Sequence, residues 1–242
     1  MGGNNIKSSI FGMQFGNLAG LLGKFSWGLS QFGLILPQSS TLGINQKNFN
    51  AKITSFEADE NDLTLGLFAI EYTTLCLGVY TEPFKNIMNT LTKSSEEMIE
   101  NLKDLNLDMN PETINNPQDM FTNISGVEGI DPSKVFENIA APLSFYRSVI
   151  KQKSKDLDIL QDESIFDLLM DLSFSNYESP TKDIETKISE LDNYSDNFLN
   201  YLVDSKSTFS IEEILSDSDL IPTIDELYDP INWATRTSMP PI

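Results

Sequence analysis

Residues 49–80 (FNAKITSFEADENDLTLGLFAIEYTTLCLGVY) decide whether the fold contains a sheet. Apolar side chains alternate with polar or small ones on both sides of the polar turn EADEND. The alternating positions are Phe49, Ala51, Ile53, Leu63, Leu65 and Leu67. A period of two is typical of half-buried strands. The sequence therefore predicts a short antiparallel β segment over about residues 47–80.

A single apolar helix over residues 62–80 is the alternative interpretation. Gly66 and Gly78 count against it, because glycine inside a helix costs about 1 kcal/mol relative to alanine. The β-branched Thr73 and Thr74 count against it as well. Cys76, the only cysteine, lies in this apolar run with no base beside it, so we expect an inert thiol in the core.

The segment before residue 57 repeats in sevens. Residues 11–38 divide into FGMQFGN, LAGLLGK, FSWGLSQ and FGLILPQ. The first and fifth positions are large and apolar, a small residue follows each of them except the last, and the seventh position is polar. This 4-3 spacing is typical of coiled-coil helices and not of strands. It predicts one glycine-rich heptad helix over about residues 9–36, ended by Pro37.

The small residues of this helix form a stripe like a glycine zipper, which lets helix backbones approach closely. Because each glycine is costly in a helix, we expect a partner to compensate. Other protein subunits are the expected partner, whereas insertion of residues 9–36 into a membrane and packing in the chain's own core are the alternatives. The predicted interaction residues are Phe11, Gly12, Phe15, Gly16, Leu18, Ala19, Gly20, Leu22, Gly23, Phe25, Leu29 and Phe32, together with Trp233, which we expect to anchor the C-terminal tail.

The rest of the chain is predicted to be helical, so the fold class is α+β and mainly α. Apolar residues recur at intervals of three and four after Thr81, after Asp131-Pro132, over about residues 155–173 and after Pro180. Ser210 with Glu213, and Thr223 with Glu226, are capping boxes that open two short helices. The tail from residue 231 has no periodicity. The predicted regions are a basic arm (1–56), a β segment with a long helix (57–105), a linker (106–131) and an acidic helical region (132–242).

Charge and composition exclude several functions. The 242 residues carry a net charge of −20, and the four lysines of residues 1–56 leave −24 on the remainder, which disfavours direct binding to nucleic acid. The chain has no histidine and two arginines, and it lacks phosphate-binding and nucleophile motifs. The acidic groups at residues 156–163, 217–219 and 225–229 are interpreted as solvated helix faces and first turns. We therefore predict no enzyme, with no catalytic, cofactor-binding or metal-ligating residue.

The sequence thus predicts a non-enzymatic structural subunit of a larger assembly, with a phage or virus particle as the expected setting. Its helix over residues 9–36 would contact other subunits in an oligomer, in a virion or an intracellular assembly. A cleaved signal peptide is not expected, because the apolar segment is too long and too polar. An acidic inhibitor that mimics nucleic acid and a carboxylate-dependent enzyme are the two alternatives.

Overall fold

The computed structural model describes residues 27–28, 30–37, 43–104, 134–172, 182–204 and 209–238, and this part of the chain contains helices and no strand. Two 3-10 turns, Ser30–Phe32 and Ser218–Leu220, accompany the α-helices. The α-helices described are α1 (Gln46–Ile53), α2 (Glu60–Leu77), α3 (Glu82–Asp104), α4 (Lys134–Lys155), α5 (Ser164–Met170), α6 (Lys182–Asp204), α7 (Ile211–Ser216), α8 (Ile224–Tyr228) and α9 (Pro230–Ser238).

Helix α4 lies at the centre of the fold. Every residue from 139 to 150 is buried, the polar Ser144, Arg147 and Ser148 included. A helix that is buried all round must be surrounded by other elements, and α4 contacts α2, α3, α5 and α6. Its Phe145 packs edge-on against Phe198 of α6, with ring centroids 5.8 Å apart.

The antiparallel β segment predicted over residues 47–80 is wrong, and with it the α+β class, because α1 and α2 occupy this stretch. The side chain of Asn45 accepts a hydrogen bond from the Asn48 backbone and so caps α1. Asp59 caps α2 by accepting from the backbone of Asn61 at 2.8 Å and of Asp62 at 3.2 Å. The polar EADEND turn is therefore the capped start of a helix rather than the turn of a hairpin.

Helix α2 imitates a strand pattern because it is apolar on two faces. Leu63, Leu67 and Ile70 are buried at helical spacing. Leu65 is exposed on the other side of the same helix. Apolar residues on both faces fall at every second position here, and this produces the alternation that indicates a strand.

Gly66 stands inside α2 because α5 approaches the helix there. A Cβ atom at this position would lie 2.9 Å from Cγ2 of Ile165 and 3.0 Å from Cδ1 of Leu169. The cost of glycine in the helix is thus offset by the close packing of α5 that the missing side chain permits.

Residues 27–28 and 30–37, here called the strap, contradict the C-terminal part of the predicted heptad helix. Apart from the single 3-10 turn at Ser30–Phe32, they are not helical, and they are buried as far as residue 35. Gly33 has a φ of +73°, which favours glycine, and a Cβ there would overlap the carbonyl oxygen of Leu143 in α4. Residues 9–26 of the predicted helix lie outside the described residues.

The predicted helices after Thr81, Asp131 and Pro180 are confirmed as α3, α4 and α6. Both predicted capping boxes are present. The single helix predicted over about residues 155–173 is wrong. Helix α4 ends at Lys155, and among residues 156–172 only α5 (Ser164–Met170) is helical. The tail, which shows no periodicity in sequence, forms α9, and the predicted linker at 106–131 lies outside the described residues.

Replacing Gly66 by leucine is expected to lower the free energy of unfolding by about 1–3 kcal/mol, because the new side chain would force α2 and α5 apart. Gly43→Ala is the matched control, since nothing lies within 4 Å of the added Cβ, and its effect is expected to stay within about 0.5 kcal/mol. Urea unfolding followed by circular dichroism would measure both. Equal stability of Gly66→Leu and the wild type would contradict the close α2–α5 contact.

Candidate interaction surface

A row of exposed apolar side chains runs along the outward face of α2 and ends at Val79, two residues after the helix ends. Leu65, Phe68, Tyr72, Cys76 and Val79 follow one another at intervals of three and four, and all are exposed. The exposed fraction reaches 49% for Phe68, 54% for Tyr72 and 73% for Val79. Single exposed apolar residues are ordinary, but a contiguous row of this kind is a candidate interaction surface. We call these five residues the α2 stripe.

Cys76 corrects the sequence prediction. The thiol was expected in the core, but it lies on the exposed face of α2. The apolar run that surrounds Cys76 in sequence divides between the two faces of the helix, and Cys76 falls on the outer one. It therefore belongs to the α2 stripe and not to the core.

The strap packs against the flank of α2, beside the α2 stripe. Ser30 Oγ donates a hydrogen bond to the Glu71 carboxylate, and a Cβ at Gly28 would overlap the same carboxylate. Burial raises the pKa of Glu71 to about 7, although the hydrogen bond from Ser30 acts in the opposite direction. Glu71 directly precedes Tyr72, so the strap meets α2 at the level of the middle of the α2 stripe, but on the buried side of the helix, about 100° from Tyr72.

Arg147 of α4 holds the strap from the other side. Its buried guanidinium donates hydrogen bonds to the backbone oxygens of Gln31 in the strap and of Met170 at the end of α5. It also donates to Asp192 Oδ2 of α6 at 2.8 Å, and Ser144 Oγ donates to Oδ1 of the same carboxylate at 3.0 Å. These groups bond to one another in the core, so the Arg147 network is suited to positioning the strap.

Most of the acidic groups noted in the sequence lie at helix starts or in the ion pairs of Glu226 with Arg236 and of Glu163 with Lys155, while Asp156 and Asp158 follow the end of α4. Burial alone would raise the pKa of Glu226, but hydrogen bonds from Arg236 and Thr223 outweigh burial and lower the pKa. In the residues that the structure describes, no cluster of three or more acidic or cysteine side chains could hold a metal ion. Backbone N–H groups near helix starts donate to three of the acidic side chains, namely Ser164 to Asp162, Asp219 to Asp217 and Ile231 to Asp229.

Two of the predicted interaction residues lie in the described part, and both are in the chain's own core. Phe32 is buried in the strap. Trp233 donates from Nε1 to the Leu220 carbonyl oxygen at 2.7 Å and packs edge-on against Phe198, so it anchors α9 onto its own chain. The others lie outside the described residues, and their interaction role stays a prediction: Phe11, Gly12, Phe15, Gly16, Leu18, Ala19, Gly20, Leu22, Gly23, Phe25 and Leu29.

The α2 stripe is not predicted from the sequence, because the alternation of apolar residues over 49–80 predicts strands there. The signal was nevertheless present. Leu65, Phe68 and Tyr72 are spaced by three and four residues, which gives a second apolar row in addition to the buried one. A helix with two apolar rows has one row more than its own core requires.

No single helix among the described residues is long and apolar enough to cross a membrane. One bent pair, Glu60–Leu77 with Glu82–Lys93 at 82°, passes the same test of length and composition when the two helices are taken together.

Comparison with known proteins adds no relative. No protein family matches this chain, and no curated protein or solved structure matches it either.

The buried Glu71 is expected to make stability depend on pH. Its pKa is about 7 in the folded chain and about 4.5 in the unfolded chain, so the folded state binds the proton more tightly. Its contribution to stability is complete below about pH 4.5 and is lost as the pH rises through about 7. The stability of the wild type relative to Glu71→Gln is therefore expected to fall by about 3 kcal/mol over this range.

Urea unfolding of both proteins at pH 4.5, 6 and 7.5 would measure this difference. Glu60→Gln, at an exposed position in the first turn of α2, is the control, with an expected effect within about 0.5 kcal/mol. A constant difference between the wild type and Glu71→Gln would show that the carboxyl is hydrated rather than buried under the strap.

Arg147→Met is expected to lower the free energy of unfolding by about 3 kcal/mol, because it leaves two buried carbonyl oxygens and the Asp192 carboxylate without their donor. The control is Lys153→Met, which removes a surface ion pair with Glu212 and should cost at most about 1 kcal/mol. Thermal unfolding of the two variants would give the comparison. Similar losses would mean that the Arg147 network contributes no more than a surface pair.

Proposed function

We propose that this protein is a non-enzymatic subunit of a larger protein assembly and that it contacts its neighbours through the α2 stripe and the apolar segment before the strap. The α2 stripe carries this proposal. Fully burying an exposed leucine or phenylalanine contributes about 1.5–3 kcal/mol, and covering Leu65 or Phe68, which are 43% and 49% exposed, would contribute about half of this. A partner that covers the whole stripe would gain several such contributions.

The position of the strap supports the proposal. The strap is fixed between α2 and α4 by Glu71 and by Arg147. The chain therefore enters the described part of the core at the strap, which α2 and α4 hold in place. The apolar heptad segment, residues 11–26, directly precedes Trp27 in the sequence, so the chain has two apolar candidates for contact with a neighbour.

Charge limits the class of partner. The chain carries −20 overall, and its longest stretch without acidic residues is the first 56 residues. An acidic surface repels nucleic acid and anionic lipid membranes, because binding to their phosphate groups depends on lysine and arginine. Protein subunits are the partners that we propose. A phage or virus particle is the proposed setting, since its subunits pack closely and stripes of small residues favour close helix packing.

The oligomeric state of the full chain tests the proposal. We expect light scattering to give a multiple of 27.1 kDa for the wild type. In the double variant Phe68→Lys/Tyr72→Lys, two charges on the α2 stripe would have to be buried without partners, so this chain is expected to be a monomer.

Val203→Lys is the matched control, because Val203 is an apolar residue on α6 that is 75% exposed and lies outside the α2 stripe. This variant is expected to assemble like the wild type. Circular dichroism of the same samples would confirm that all three chains are folded. A folded wild-type chain that stays monomeric at high concentration would contradict the proposed function.

A further inference from the structure

We infer that the α2 stripe is the docking site for the N-terminal arm of a second copy of this chain, with the arm antiparallel to α2. From here on, the arm means residues 11–25 of the basic N-terminal region (1–56), which precede the strap in the sequence. This inference rests on the proposed function and on the predicted helical conformation of the arm. It identifies the partner of the stripe as the chain itself.

The arm and the stripe match in number and length. The α2 stripe presents five apolar side chains between Leu65 and Val79. The arm has five large apolar residues at the same 3-4 spacing, and they are Phe11, Phe15, Leu18, Leu22 and Phe25. Each set covers fourteen steps along the chain. A helical arm of this length is about 21 Å long at about 1.5 Å per residue, and in the stripe the twelve steps from Leu65 to Leu77 are helical. One arm therefore covers one stripe from end to end.

The position of the strap explains why the arm comes from a second copy. Gly28 packs against Glu71, which lies beside the middle of the stripe. A chain's own arm, separated from Trp27 by Ser26 alone, would begin at this level and run off the stripe after about 10 Å. Half of its apolar side chains would then have no contact. The arm of a second copy is not attached at this point and can lie along the whole stripe.

Charge sets the orientation of the arm. The start of α2 is acidic and exposed, with Glu60 and Asp62 just before Leu65. The arm contains no acidic residue, and Lys24 lies next to its last apolar position. An antiparallel arrangement places Lys24 close to Glu60 and Asp62, where opposite charges attract.

Two-fold symmetry would allow two copies to satisfy this contact completely. Each copy has one arm and one stripe, so two copies can exchange arms about a two-fold axis and cover both stripes. Exchange in one direction only would leave a free arm and a free stripe, which could extend the assembly. Either arrangement is a contact between arm and stripe.

Cys76 provides a test, because it is the only cysteine and lies on the stripe. Full-length Phe15→Cys/Cys76→Ser, carrying a C-terminal mass tag, is mixed with untagged wild-type chain and oxidised in buffer without lipid or detergent. In the antiparallel arrangement residue 15 lies beside Cys76 of the other copy. Because each chain has one thiol, a disulfide between a tagged and an untagged chain must join the arm of one copy to the stripe of another.

Two matched variants serve as controls in the same mixture. Leu22→Cys/Cys76→Ser places the thiol at the opposite end of the arm and is expected to give several-fold less tagged–untagged dimer. Ser216→Cys/Cys76→Ser places it on the exposed end of α7 and is expected to give the background level. The inference is supported when Phe15→Cys exceeds both.

Four results would overturn the inference. A predominance of untagged dimers would show that two α2 stripes meet directly. An internal disulfide in Phe15→Cys chains that retain Cys76, without mixed dimers, would place the arm on its own stripe. A preference for Leu22→Cys would reverse the orientation. If every variant gives only the background level of dimer, arm docking is rejected. The proposed function would still stand if light scattering shows the same samples to be oligomeric. If light scattering gives the mass of a monomer, the proposed function is rejected as well.

Discussion

The guanidinium of Arg147 joins three segments that are far apart in the sequence. It bonds to the strap through Gln31, to the end of α5 through Met170 and to α6 through Asp192. A buried cation is tolerated only when its donors are satisfied, so these segments are stable together and not one at a time. The positions of the elements around α4 depend on this requirement as much as on apolar packing.

The Arg147 network also determines where the N-terminal segment leaves the core. Arg147 holds one side of the strap, while Glu71 contacts Gly28 and Ser30 on the other side. The two contacts differ in kind, since the guanidinium also binds the Asp192 carboxylate, whereas burial favours the neutral form of the Glu71 carboxyl. Together they fix the strap against α2 and α4, and the arm of the proposed exchange precedes the strap in the sequence.

The parts of the fold that the sequence predicted are those set by local chemistry. Helices α3, α4 and α6 have one strong apolar periodicity, and the capping boxes at Ser210 and Thr223 need residues only three positions apart. The strap could not be predicted, because its heptad pattern continues through residue 36 while Gly33 and the contact with Arg147 impose a different backbone. That contact spans 116 positions, and no local pattern reports it.

Helix α2 was misassigned for a related reason. Its second apolar row is exposed, so its pattern is not that of a helix which buries one face. Rules that predict secondary structure from local sequence tend to fail at residues that serve a function rather than the stability of the fold. The prediction thus failed at the surface that became the candidate interaction site, although the 3-4 spacing of Leu65, Phe68 and Tyr72 was readable.

The long separation between Gln31 and Arg147 has a consequence for synthesis on the ribosome. The strap is made early, but the guanidinium that holds it is added 116 residues later. At about 5–20 residues per second, the strap waits roughly 6–23 s for its place in the core. This interval is long enough for the proposed contact between arm and stripe to form between neighbouring nascent chains on one messenger before each core closes.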